Sequence, residues 1–339
     1  YNSKQAVTQT EAPRRGIVEG SAGHKANQIA AACAVVAVLC FSSNDVGIKL
    51  LSGGYALHQV VIVRTLIAMS ILLFLVVPFN GGFKVLRTKR LKMHICRGLC
   101  VVFANMCFFL ALAAMPLADA VAVFFVSPLL ITVFSVVFLR EHVGPFRWAA
   151  IVVGLLGVIV IVRPGTSAFQ LASLLPLFAA TGYATLHILT RKIGGTESAI
   201  TMAIYIQLTF LVVCVAVGLF MGDGRYAGSG DPSLEFLFRA WIWPKPENLL
   251  VFMVIGAGSA FGGYLISQAY RVSEAAFVAP FEYIAMPIAI FWGAVIFDDW
   301  PDLTAWFGMI LIIGSGLFMV WRETVTRADS TAQRRRIRR

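Results

Sequence analysis

Apolar residues run along this chain in long stretches, and the polar residues gather in short connections between them. An α-helix needs about 20 apolar residues to cross a bilayer. Runs of that length fall at roughly 28–51, 57–79, 93–114, 117–139, 147–163, 171–190, 198–221, 249–270, 273–297 and 303–321. The pattern predicts an all-α polytopic membrane protein with ten transmembrane helices. Eight of the nine connections are short. The other, 222–248, begins "GDGRYAGSGDPSLEFLFRAWIWPKP", and its Trp241, Trp243 and Pro244 read as an interfacial segment with rings at headgroup level.

Composition agrees: 59% of the residues are hydrophobic and 13% are charged, against about 45–50% and about 25% in soluble domains. Ten spans put both termini on one side, and the placement of basic residues says which. With the N-terminus inside, the inner connections carry Lys84, Arg87, Lys89, Arg90 and Lys92, then Arg140 and Arg147, Arg191 and Lys192, and Arg271. The N-terminal tail 1–27 and the basic tail 322–339 add more, whereas the outer connections hold Arg163, Arg225, Arg239 and Lys245. The formal charge of +11 is therefore a topology signal, and no nucleic-acid partner is expected of the "AQRRRIRR" tail. The first 27 residues lack an apolar core and do not read as a cleaved signal peptide. The six cysteines all fall in apolar runs; Cys96 and Cys100 share a helical face but have no His beside them, so no metal site and no cofactor is expected.

The chain repeats itself. "VSPLLITVFSVVFLREHVGPFRWAAIVVGLLGVIVIVR" from Val126 matches "AMPIAIFWGAVIFDDWPDLTAWFGMILIIGSGLFMVWR" from Ala285, with Glu141 opposite Asp299 and Trp148 opposite Trp306. The repeats would be 28–163 (helices 1–5) and 171–321 (helices 6–10), the second interrupted by 222–248. Five is odd, so the halves would enter the membrane in opposite senses, as two inverted five-helix repeats. These features, with "MPLADAVAVFFVSPLL", "EHVGPFRWAAIVVGLLGVIVIVRPG" and "VSEAAFVAPFEYIAMPIAIFWGAVIF", resemble the EamA-type permeases of the drug/metabolite transporter superfamily over residues 28–322. The resemblance implies a monomer in the cytoplasmic (inner) membrane, cytoplasmic termini and a central cavity between the halves. It leaves the substrate open among amino acids, riboflavin, S-adenosylmethionine and drugs.

Seven ionisable groups lie in or at the ends of spans: Asp45, Lys49, Arg64, Arg97, Asp119, Glu274 and Glu282. A charge at a helix centre costs about 2.5–3.5 kcal/mol on insertion scales, so each needs a partner, water or a function. Asp45 and Lys49 are four apart and able to pair, while Asn44 points about 100° away. Arg64 enters helix 2 at the depth of Asp45, so an Arg64–Asp45 or Arg64–Lys49–Asp45 cluster is expected, as a structural ion pair or as an outer gate or carboxylate site. Arg97, near the inner surface, is expected to snorkel, with a role at the cytoplasmic mouth as the alternative. Asp119 and Glu274 open helices 4 and 9, where carboxylates cap. Glu282 lies mid-helix between Pro280 and Pro287, and reads either as a proton-coupling carboxylate or as a buried partner of Arg97 or His187.

Asn105, Tyr183, His187, Tyr205, Gln207, Tyr264, Gln268 and Tyr283 sit at depths that let them line a cavity for an amphiphilic, ring-bearing solute. No HExxH, GxSxG, Walker motif or paired carboxylates at one depth is present, so the chain is not read as an enzyme or ATP-driven pump. A secondary transporter of a small organic metabolite or drug is the reading that remains. A membrane sensor or accessory scaffold is the alternative, without a sizeable soluble output domain to support it.

Overall fold

A computed structural model describes residues 12–337 apart from 141–142, 167–168, 194–196 and 274, so Glu274 lies outside the described residues. In hydrocarbon every backbone N–H and C=O must be paired internally, which a helix does within its own segment. Among the described residues ten helices are long and apolar enough to span: Ala26–Ser52, Leu57–Val76, Leu91–Ala114, Leu117–Leu139, Pro145–Val162, Leu171–Leu189, Ile200–Met221, Pro246–Ala269, Pro280–Phe297 and Leu303–Arg322. They are numbered here 1 to 10. The end of the bundle at which the chain enters span 1 and leaves span 10 is called the near end, and the opposite one the far end.

The fourth span of each half is broken. Span 4 is helix Leu117–Phe124, a turn at Phe125 and Val126, and helix Ser127–Leu139. In span 9 the helix Ala275–Glu282 is followed by a turn at Tyr283 and Ile284 and by helix Ala285–Phe297. The two turns occupy equivalent positions in the repeat. Both second helices then end on a left-handed residue, Arg140 at φ 56° and Asp298 at φ 55°, again equivalent in the repeat.

Packing follows the same rule. Span 1 lies along span 8 and span 3 along span 6, which are one contact seen from either half; spans 5 and 10 pair, and spans 2 and 7 pair. Spans 5 and 10 approach most closely at two glycines. A Cβ on Gly157 would sit 2.8 Å from the carbonyl oxygen of Gly308, and one on Gly308 would sit 2.8 Å from that of Gly157. In the span 1–span 8 seam, Gly258 and Gly262 take the same role against Cys40 and Phe41. Small residues let backbones touch where lipid removes any hydrophobic drive for helices to associate.

Residues 222–248 form a strap across the far end. Asp231 caps the short helix Pro232–Phe238 by accepting the Leu234 N–H at 3.0 Å, and Phe236 is fully buried. Arg239 donates to the carbonyls of Ser52 and Tyr55 at 2.6 and 3.3 Å, filling acceptors that the end of span 1 leaves open. Gln59, fully buried, both accepts from the Ile242 N–H and donates to its carbonyl. The Tyr55 hydroxyl accepts from Lys245 N and Asn248 Nδ2, each at 2.9 Å. Trp243 remains 88% exposed, free to lie among headgroups.

Candidate functional site

Asp45 stands seven residues before the far end of span 1, and Arg64 seven residues into span 2. At 1.5 Å per residue, both lie about 10 Å below the far end. Arg64 is only 3% exposed. Its guanidinium is held between the faces of Phe109 and Phe210, 5.1 and 4.9 Å from the ring centroids. This is a strong way to seat a cation away from water, since each desolvated cation–π contact contributes on the order of 0.5–2 kcal/mol. The arginine and the aspartate do not meet directly. Asn44 stands between them, accepting from Arg64 Nη1 at 3.4 Å and donating from Nδ2 to Asp45 Oδ1 at 3.2 Å. The 100° offset between Asn44 and Asp45 therefore does not separate them, because the amide folds back onto its neighbour. Asp45 is half-buried.

Lys49 does not pair with Asp45, contrary to the helical spacing. Its ammonium donates to the carbonyls of Leu112 and Met115 at 3.2 and 2.7 Å, at the end of span 3, lies 3.8 Å from Asp299 and sits over the Phe297 ring. Orphan carbonyls at a helix C-terminus favour a cation, and here the Asp299 carboxylate adds its charge on the same side. Lys49 thereby joins a charged rim at the far end with Asp119, Asp299, Asp302 and Arg163, drawn from spans 1 and 4, the residue that follows span 5 and the span 9–10 connection.

Within the rim, Arg163 and Asp302 form a bidentate pair. The Arg163 hydrogen bond and the Ala305 N–H hold the Asp302 carboxyl below the usual carboxylate range, and the bond to Asp302 raises Arg163 in turn. A carboxyl with a depressed pKa contributes stability that is present above the ordinary aspartate value, about 3.9, and is lost as pH falls through the lower folded value. Because Asp302 is exposed, the contribution is small, below about 1 kcal/mol. Asp302→Asn is expected to lower the melting temperature of the detergent-purified protein slightly at pH 7. As pH falls below the ordinary aspartate value the difference from wild type should shrink; a gap that stays constant would mean the pair is not the cause.

Toward the near end, Tyr183 and Tyr283 both lie within electrostatic reach of Glu282, and His187 lies within reach of Arg97. Arg97 does not snorkel: it is 5% exposed, turned into the bundle beside His187. The two groups of polar residues are joined by rings. His187 meets Tyr183 at 4.6 Å, Tyr183 meets Phe124 at 5.4 Å, Phe124 meets Phe108 at 5.2 Å, and Phe108 is 6.4 Å from Phe109 against Arg64. Phe125 and Tyr283, equivalent residues at the two helix breaks, touch each other at 5.1 Å. Tyr183 and His187, like Asp45, are half-buried.

The remaining candidates are divided. Gln207 is buried beside Arg64's aromatic seat, donates to Ser259 at 3.0 Å and has an unpartnered Oε1. Asn105 donates to its own helix at Val101, and Gln268 donates to Tyr264 one turn away at 2.9 Å. Tyr205 stands apart, near the near end, stacked at 4.8 Å on His94 and bonded to the Leu86 carbonyl. Sequence reading missed Phe109 and Phe210, whose only signal is that a buried arginine requires a seat. It also missed His94, which is 1% exposed and 3.5 Å from Glu197. A groove of about 320 Å³ between spans 3 and 6, lined by Cys96, Leu99, Phe103 and Thr185, opens on the half-exposed Leu99 and Phe103 and so faces lipid rather than this site.

Comparison with known proteins gives concordant results. A model of the EamA-like transporter family matches residues 28–163. A riboflavin transporter of Vibrio cholerae is 30% identical over 266 residues, covering 76% of this chain and 82% of that protein. An S-adenosylmethionine uptake transporter of Rickettsia prowazekii is 27% identical over 289 residues, covering 85% and 91%. A solved crystal structure superposes with a TM-score of 0.58 at 18% identity over 85% of this chain and 95% of that one, which is a likeness of fold.

Proposed function

Since the chain belongs to the EamA-like transporter family, we propose that it carries a small, ring-bearing organic metabolite across the cytoplasmic membrane by alternating access, with both termini cytoplasmic and the near end inside. The observation that carries this reading is the line of rings from His187 to Phe109, which joins a charged group below the far end to another toward the near end. Aromatic faces bind rings with little demand on orientation, which suits a solute that must also leave.

The repeat supports the mechanism. Equivalent breaks in spans 4 and 9 and the meeting of Phe125 with Tyr283 suit two inverted five-helix halves about a central axis, with unwound backbone beside the solute path. Glu282, at the end of the helix before the span 9 break, is the proton-coupling candidate, facing Tyr183 and Tyr283 with Arg97 and His187 nearby. The relatives' names supply the first substrates to try. Purified protein in proteoliposomes is expected to take up labelled S-adenosylmethionine or riboflavin with saturation, and an excess of the unlabelled compound should block it. If neither accumulates above empty liposomes while the protein remains folded, the ring-bearing metabolite reading fails.

A further inference from the structure

We propose that Asn44, Asp45 and Arg64 form a receptor for the zwitterionic α-amino-acid head of the solute, its carboxylate on Arg64 and its ammonium on Asp45. The proposal rests on the transport reading above and narrows its substrate class.

Opposite charges taken out of water recover their lost hydration best in direct contact. Here they are held apart at equal depth, Arg64 by its two phenylalanine rings and Asp45 by its place on span 1. The one side chain between them has a definite polarity. Its amide turns an acceptor oxygen to the arginine and a donor nitrogen to the aspartate. An α-amino-acid head has the same sense and nearly the same reach, with far stronger groups at each end. Both bonds that Asn44 makes, 3.4 and 3.2 Å, are at or beyond the long end of the hydrogen-bond range, so the amide is an easily displaced occupant.

Arg64 also has capacity to spare. Its Nε–H has no acceptor, although the side chain is only 3% exposed. A guanidinium fork is completed by a carboxylate accepting two parallel bonds. Asp45 offers the complementary carboxylate, half-buried and bonded only to the Asn44 amide among the contacts described. Selectivity follows from repulsion as much as attraction. A simple organic anion would be opposed by Asp45 and a simple cation by Arg64, whereas a head of no net charge satisfies both. Beside this head, Phe109 begins the line of rings that would take the rest of the molecule.

The test needs no variant at first. Full-length wild-type protein in detergent is titrated calorimetrically with whole-head compounds that bear a ring, S-adenosylmethionine, S-adenosylhomocysteine and tryptophan. The partners lacking one charge are decarboxylated S-adenosylmethionine, tryptamine and indole-3-propionate, and riboflavin and methylthioadenosine lack the head. At least one whole-head compound should bind, and removal of either charge should weaken it by about tenfold or more, as expected for loss of a charge-assisted bond. Arg64→Gln should erase the discrimination against the amine, and Asp45→Asn that against the acid. Failure to fold would remove all binding rather than change these ratios. Riboflavin or methylthioadenosine binding as tightly as any whole-head compound would overturn the head receptor and leave the carrier standing, as would ratios unchanged in both variants. No binding by any of these compounds, together with no uptake of riboflavin or S-adenosylmethionine, would overturn both.

Discussion

Arg64→Ala is expected to reduce substrate uptake to about one-hundredth of wild type or less, and to lower the melting temperature as well. The loss of uptake follows from removing a forked, charge-assisted contact, in which each hydrogen bond to a charged group contributes about 1.5–3 kcal/mol. The loss of stability follows from emptying the space between Phe109 and Phe210 and leaving Asp45 without a nearby cation. Arg64→Lys separates the two effects. Lysine keeps the charge and much of the ring contact but presents a point rather than a fork. Uptake should fall by about tenfold while the melting temperature stays close to wild type. Equal, mild losses in both variants, measured as initial rates in proteoliposomes, would show that Arg64 is a structural cation and not part of the solute path.

Glu282→Gln should abolish accumulation driven by a pH gradient and leave substrate exchange across the membrane intact. Glutamine has the shape and hydrogen-bonding groups of a protonated glutamate, so the helix end before the span 9 break keeps its local structure. It cannot release a proton, so the step that links the gradient to the solute is lost. Tyr183 and Tyr283, in electrostatic reach of the carboxylate, would then face a neutral group in every state. Counterflow uptake should retain most of the wild-type rate and show no dependence on pH across the range in which the wild type responds. A variant that still accumulates solute against a gradient, with the wild-type pH profile, would rule out Glu282 as the coupling group.

The spans were legible because bilayer thickness imposes one length on every crossing, and the family was legible in the motifs of the two repeats. Partners inside the bundle were not. The spacing of Asp45 and Lys49 speaks only of their own helix, whereas Lys49 is decided by carbonyls at the end of span 3 and by Asp299. Arg97 was expected at the surface from its distance along span 3, but the neighbouring span 6 brings His187 beside it. Arg64 was found from cost alone, since an arginine at that depth demands a reason, while its seat comes from Phe109 and Phe210 among 26 phenylalanines that sequence does not distinguish. The break in span 9 was foreshadowed by its prolines, though it falls at Tyr283 and Ile284, between them.

The strap at 222–248 bears on how the chain is made. Gln59 is fully buried near the start of span 2, and both of its amide groups are satisfied by Ile242, a residue synthesised some 180 positions later. The carbonyls of Ser52 and Tyr55 likewise wait for Arg239. Until spans 7 and 8 have entered the bilayer, the hairpin of spans 1 and 2 carries unsatisfied polar groups at its far end and must keep them in water or headgroups. The first five spans are therefore a repeat in sequence without being an autonomous unit of assembly. The far end of spans 1 and 2 is satisfied only once the strap between spans 7 and 8 is in place.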